Sequence, residues 1–311
     1  MLELRRATVV AADGARLEVD VEGERVAAWA DVGLVGPCEP GDEVVVNVQA
    51  RRLSLGSGGF DVVHCNLTRG LSGDDAGGAH VMKLNYTSLQ HAVSPLEEGE
   101  RELELPLRTP VAVLALHGQL RPVAWAFARA APPGATLGYV QTAGGALPGA
   151  LSGDVRELRA EGLLAAHVTA GPAFGGEEEA ITTAAALYAG ARRYDAVVAG
   201  PGPGILGSAS ALGHGGLVAL DTAHAALALG APTLLAARMS EADPRERHQG
   251  LSHHTRTVCE LLLAPVLVPE PKGDELEGYP WPTRSMGRDD PLFFRAAAAA
   301  GIALAGMMPR P

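Results

Sequence analysis

Residues 240–254 read SEADPRERHQGLSHH and gather three acidic residues, two arginines and three histidines within fifteen positions. Imidazole and carboxylate groups are ligands for divalent metal ions, so His248, His253 and Asp243 form a candidate metal set. The spacing HExxH is absent, so the set follows no familiar metalloprotease pattern. Arg245 and Arg247 suit an anion clamp instead, and Ser252 suits a helix N-cap that would leave the adjacent histidines solvated. Histidine titrates near neutral pH, so His253 and His254, with His117 from another loop, are the candidate acid–base groups.

A second stretch, GPGPGILGSASALGHGG at 200–216, has seven glycines in seventeen residues. Gly202, Gly204 and Gly207 fit the spacing GxGxxG, which lets backbone N–H groups approach a ligand closely. The dinucleotide fingerprint belongs after the first strand of such a fold, whereas this loop follows the fourth, and Asp221 lies inside the next helix. No Gly-Lys-Ser/Thr follows the glycines, so the loop is not a P-loop. The reading left is another anionic group, held by backbone N–H groups and Ser208 or Ser210, with His214 beside them. A Ser-His-Asp triad lacks the GxSxG elbow. A third segment, HVMKLNYTSLQ at 80–90, carries Lys83, Tyr86 and Gln90. Lysine occurs only at 83 and 272 in an arginine-rich chain, so Lys83 is a further candidate ligand contact; the segment also reads as a plain interdomain strand.

These residues need a scaffold, and the pattern along the chain supplies one. Residues 1–68 show short β-branched segments broken by Asp-Gly and Glu-Gly turns, which predict a small β-barrel-like module. Residues 69–108 form a bridging segment: a polar glycine-rich loop, a stretch of mixed periodicity, and a charged connector. From 109 to 270 near-continuous apolar strands alternate with helices, among them one over 177–192. That alternation predicts an α/β domain, a Rossmann-like doubly wound parallel sheet covered on both faces. Residues 271–311 add a loop and an alanine-rich helix near 291–305. In open parallel sheets ligands bind beyond the carboxyl ends of the strands. That edge collects His117, the glycine loop and the 240–254 segment, so they are read as walls of one crevice; tight turns in a glycine-rich chain are the plainer explanation.

Composition narrows the class. With 47% hydrophobic and 20% charged residues, the 311-residue chain reads as a globular protein of two domains. It has no apolar run long enough to cross a bilayer and no leader-like N-terminus, so the expected location is the cytoplasm, with no membrane partner. A net charge of −11 opposes nucleic acid as the main partner. The three cysteines, Cys38, Cys65 and Cys259, lack CxxC spacing and read as small core residues.

The segments HVMKLNYTSLQ, LALHGQL, GPAFGG, GPGPGILGSASALGHGG and DPRERHQGLSHHT together resemble a bacterial family of uncharacterised proteins, domain of unknown function 3866. The resemblance spans roughly 2–270 and implies no activity, substrate or cofactor. The expected function is a site for a small anionic molecule at the strand ends, in a hydrolase or transferase, with a divalent metal as the cofactor to consider. The alternative is a non-catalytic metabolite-binding or regulatory protein. Beyond the small molecule, a homo-oligomer is compatible with the sequence.

Overall fold

The structure, a computed structural model, describes residues 1–55, 58–71, 77–99 and 102–309. The polar glycine-rich loop and the charged connector expected within 69–108 fall in part on residues 72–76 and 100–101, which, like 56–57, lie outside the described residues. The chain divides into two compact units, Met1–Val93 and a second from Ser94 onward.

In the first unit β1 (Leu4–Asp13), β2 (Arg16–Val21), β3 (Glu24–Trp29), β4 (Glu43–Asn47) and β5 (Asp61–Asn66) close into a barrel in the order β1-β2-β3-β5-β4. β3 and β5 run parallel, and the other pairs are antiparallel. This order is that of an OB-fold. Alternation drives it: Leu17, Val19 and Val21 on β2 and Val44 and Val46 on β4 point into one core, and the residues between face outward. One-turn helices α1 (Val32–Val35) and α2 (Gln49–Arg52) follow β3 and β4. Oligonucleotides bind OB-folds across strands 2 and 3; here those strands carry Glu18, Asp20 and Glu24 together with Arg16 and Arg25, and Arg25 pairs with Glu18 at 3.6 Å. A hairpin of β6 (Val81–Lys83) and β7 (His91–Val93) ends the unit.

The second unit holds a six-stranded sheet. Its strands are β8 (Val111–Val113), β9 (Leu137–Thr142), β10 (Ala166–Ala170), β11 (Glu178–Ala180), β12 (Ala196–Pro201) and β13 (Thr233–Leu235), in the order β11-β10-β9-β12-β8-β13. All pairs are parallel. β8, β9, β10, β12 and β13 are buried along their whole length, as strands covered on both faces must be. From β8 to β10 the chain crosses one face through α3 (Leu120–Ala130) and α4 (Gly153–Ala160), which share a core with the C-terminal helix α8 (Pro291–Gly306). Between these lie α5 (Thr183–Arg193), α6 (Val218–Ala228) and α7 (His253–Leu261), packed on the other face. The winding therefore reverses around β12, with loops leaving β8 and β12 toward opposite faces. Such a switch point opens a crevice at the carboxyl ends of the strands.

One expected helix is shorter than the pattern suggested. Residues 178–180 join the sheet edge as β11, and the helix begins at Thr183 because the Thr182 hydroxyl caps it by accepting from Ala185 N. Acidic residues before a helix suited a first turn, but pairing with β10 won at the sheet edge.

Helices α3 and α8 pack so closely that Gly301 has no room for a side chain. A Cβ there would overlap the Val123 carbonyl oxygen and lie 3.0 Å from Ala126 Cβ. Gly301→Ala is expected to cost about 1–3 kcal/mol, seen as a Tm several degrees lower. Gly306→Ala on the same helix meets nothing within 4 Å and serves as the neutral control.

Candidate functional site

The site grows from the carboxyl end of β13. Gln119 clamps two strand ends together: its Oε1 accepts from Ala115 N and Leu116 N at 3.1 and 3.0 Å, and its Nε2 donates to the Ala236 and Ala237 carbonyls at 3.0 and 3.1 Å. The chain then reaches Arg238 and folds back through a short hairpin of β14 (Met239–Ser240) and β15 (Gly250–Leu251). Arg238 N donates to Thr255 Oγ1 at 2.9 Å, and Ser252 N donates to the Arg238 carbonyl at 2.9 Å. The start of α7 is thereby returned to the sheet edge. Ser252 caps this helix, its Oγ accepting from His254 N at 3.2 Å.

This fold-back gathers four imidazoles. His253 and His254 come from the first turn of α7, His248 from the 3-10 turn Glu246–His248, and His214 from the end of the glycine loop. A bridge between Gly207 and His214 pins that loop end. His214 stacks on His254 with ring centroids 3.7 Å apart and lies 5.5 Å from His253. His248 lies 4.8 Å from His253 and 5.0 Å from His254. One nitrogen each from His214, His253 and His254 falls within 4.8 Å of the others.

Their hydrogen bonds are uneven. Neither nitrogen of buried His214 has a partner, nor does His253 Nε2. The Ala211 backbone lies close enough to favour protonation of His214 but outside hydrogen-bond geometry. His248 Nδ1 pairs with Ser252 Oγ at 2.8 Å, and His254 Nδ1 with Arg238 Nη1 at 2.8 Å. All four rings are held neutral. Burial, then Arg238, brings His248 down to about 3 and His254 to about 2. Burial is also the main cause of the lowered values of His214 and His253, and His214 and Arg247 add to it for His253. A neutral imidazole keeps a lone pair, which a metal ion requires.

Arg238 is buried, and burial pulls its pKa to about 10 against the pull of Asp243. Asp243 is an arginine hub. Its carboxylate accepts from Arg245 N, Nε and Nη2 at 3.0, 2.8 and 2.6 Å, and Arg238 Nη2 and Arg288 Nη2 stand at 3.4 and 3.6 Å. These contacts hold its carboxyl well below the usual range, the Arg245 side chain being the largest cause. Asp290 accepts from Ser240 Oγ at 2.5 Å and Glu241 N at 3.1 Å.

The structure thus places the expected residues unevenly. The fold brings His253 and His254 together, His248 packs beside them, and His214, read from the sequence as a ligand contact, completes the nitrogen set. Asp243 is not part of that set, because its charge is spent on arginines. Arg245 is tied to Asp243, whereas Arg247 is exposed and makes no ion pair among the described residues. His117 stands in a separate buried network: Nε2 is 2.7 Å from Ser152 Oγ and Nδ1 is 3.2 Å from the Pro201 carbonyl. No hydrogen bond or ring contact joins it to the four histidines among the described residues. Gly202 packs against the Ala146 carbonyl, where close loop packing accounts for it. Gly204 has φ +70°, and a Cβ at Gly207 would meet His214 Cβ at 3.7 Å, an ordinary contact. Ser208 and Ser210 bond each other at 2.9 Å within an exposed turn. Lys83 is buried at the end of β6, in the other unit.

Sequence reasoning missed Arg238, Gln119 and Asp290. Arg238 had a signal: a lone charge at the end of the apolar run APTLLAAR, where a strand meets its crevice.

A family model described as a protein of unknown function (DUF3866) matches residues 27–276. No curated protein matches the chain. Among solved structures the chain is similar to the crystal structure of YjeQ from Thermotoga maritima, with 15% identity and a TM-score of 0.17 over 54% of this chain and 51% of that one. The chain spans about half the length of that protein, and a likeness at this level carries no functional information.

Proposed function

The chain belongs to the DUF3866 family of proteins of unknown function, and on that premise we propose that it is a metal-dependent hydrolase acting on a small anionic molecule. The observation that carries the reading is His214, buried with two unpartnered ring nitrogens beside the unpartnered Nε2 of His253. Unsatisfied buried nitrogens are costly, and a divalent cation shared with His254 would satisfy the lone-pair nitrogen of His214 and of His253.

The donor set fits such an ion. His214, His253 and His254 would hold a zinc-like ion through three neutral imidazoles, and the chemistry it would supply is a more acidic bound water. His248, anchored by Ser252 and held neutral by burial, packs on His253 and His254 and would steady those two rings as ligands. Imidazole ligands bring no negative charge, so the ion would keep its full charge beside Arg238 and Arg247. Such surroundings favour an anionic substrate. Exposed Arg247, adjacent to His248 in the chain, is the residue to meet it first.

The test is direct. Metal-stripped protein is expected to bind one equivalent of Zn(II) or Co(II), and His214→Ala to lower that affinity at least about 100-fold, measured by calorimetry and elemental analysis. Unchanged affinity in His214→Ala would remove the metal from this site.

A further inference from the structure

We propose that Arg238 is a two-position cation of this site: without a metal ion its guanidinium occupies the lone pair of His254, and a bound ion releases it to hold the oxyanion of the substrate. The inference rests on the metal reading above and concerns how that site is loaded.

Guanidinium only donates hydrogen bonds. Arg238 Nη1 lies 2.8 Å from His254 Nδ1, so Nδ1 is the acceptor and the neutral ring carries its proton on Nε2. An ion bound through Nδ1 needs the lone pair Arg238 now uses. An ion bound through Nε2 moves the ring proton to Nδ1 and sets N–H against N–H. By either route His254 ligates only after Arg238 lets go. One cation thus holds the place of the other.

The released guanidinium then keeps one weak acceptor and has donors to spare. Arg238 is buried, and its Nη2 is 3.4 Å from Asp243 Oδ2, a long contact to a carboxylate already taking three bonds from Arg245. A buried guanidinium with unpaired donors is strongly unfavourable, and a tetrahedral oxyanion offers the paired acceptors its planar fork matches. The local charge agrees: Arg238, Arg245 and Arg288 surround Asp243, and Arg247 stands nearby, while Asp290 adds one more carboxylate. The ligand class is therefore a small molecule bearing a phosphate- or sulfate-like group. Because linkage is reciprocal, ion and oxyanion must each tighten the binding of the other.

The experiment titrates the metal-stripped full chain with Co(II), with and without sulfate, following the visible Co(II) spectrum. Sulfate is expected to raise the wild-type Co(II) affinity about 5- to 100-fold. Arg238→Met is expected to bind Co(II) more tightly than wild type by a similar factor without sulfate, and to lose the sulfate response. Equal affinity in Arg238→Met and wild type, or a sulfate response that persists in Arg238→Met, would overturn the proposal. So would a wild type indifferent to sulfate, a readout that needs no variant to fold. Failure of both proteins to bind Co(II) overturns the metal reading itself, whereas loss of binding in Arg238→Met alone overturns the proposal.

Discussion

Lowering the pH from about 7.5 to about 5 is expected to remove about 2 kcal/mol of stability for each of His167, His248 and His254 in the metal-stripped protein. All three are buried, and burial is the first cause of their low values: about 4 for His167, about 3 for His248 and about 2 for His254. His167 stacks on Tyr139 at 5.3 Å, and its Nε2 donates to Gln141 Oε1 at 3.0 Å, so its ring is satisfied while neutral. Below the ordinary value of 6.5 the unfolded chain takes up protons that the folded chain refuses. Stability is therefore full above about 6.5 and falls as the pH drops toward the folded values. His117, also lowered by burial, acts in the same direction. Asp42, at about 2, and Asp243 lose their contributions only below the ordinary carboxylate value of 3.8, so the two windows separate. Urea unfolding at a series of pH values measures this. A free energy flat between pH 7.5 and 5 would mean that these rings are reached by water.

Asp243→Ala is expected to cost about 3–5 kcal/mol, the range for breaking a buried pair by removing one partner. The carboxylate is 2% exposed and stands against Arg238, Arg245 and Arg288. Its removal leaves the buried Arg238 facing other cations with only His254 as acceptor. It also unties the 243–245 turn, where Arg245 N donates to Oδ1 at 3.0 Å. Asp243→Asn keeps acceptors without the charge and should fall between Ala and wild type. Denaturant unfolding near neutral pH checks the order, and a loss under about 1 kcal/mol in Asp243→Ala would show that solvent replaces the carboxylate.

Much of the scaffold was legible because it follows from period. The alternation of Leu17, Val19 and Val21 marks a half-buried strand, and the unbroken Ala196–Ala199 marks a strand covered on both faces. The limits of that signal show at 178–180, where three residues read as a helix start and are an edge strand. The site was legible in composition but not in pairing. His253 and His254 drew attention as adjacent histidines behind a capping serine, and Ser252 does cap them. Nothing in the sequence separated Arg247, left exposed, from Arg245, tied to Asp243 two positions earlier.

The 240–254 segment illustrates the division. By itself the sequence determined the α/β class, the barrel-like module before it, and a histidine-rich edge at the carboxyl ends of the strands. These depend on local periodicity and on which residues a turn or cap tolerates. Only the tertiary structure decided that His214 joins His253 and His254, that Asp243 does not, and that Arg238 sits on His254. The reason is physical. Whether a charged or polar side chain becomes a ligand, a buried counter-ion or a solvated group depends on its distance to others far away in the chain and on its burial. Both are set when β13 and α7 are brought to one sheet edge.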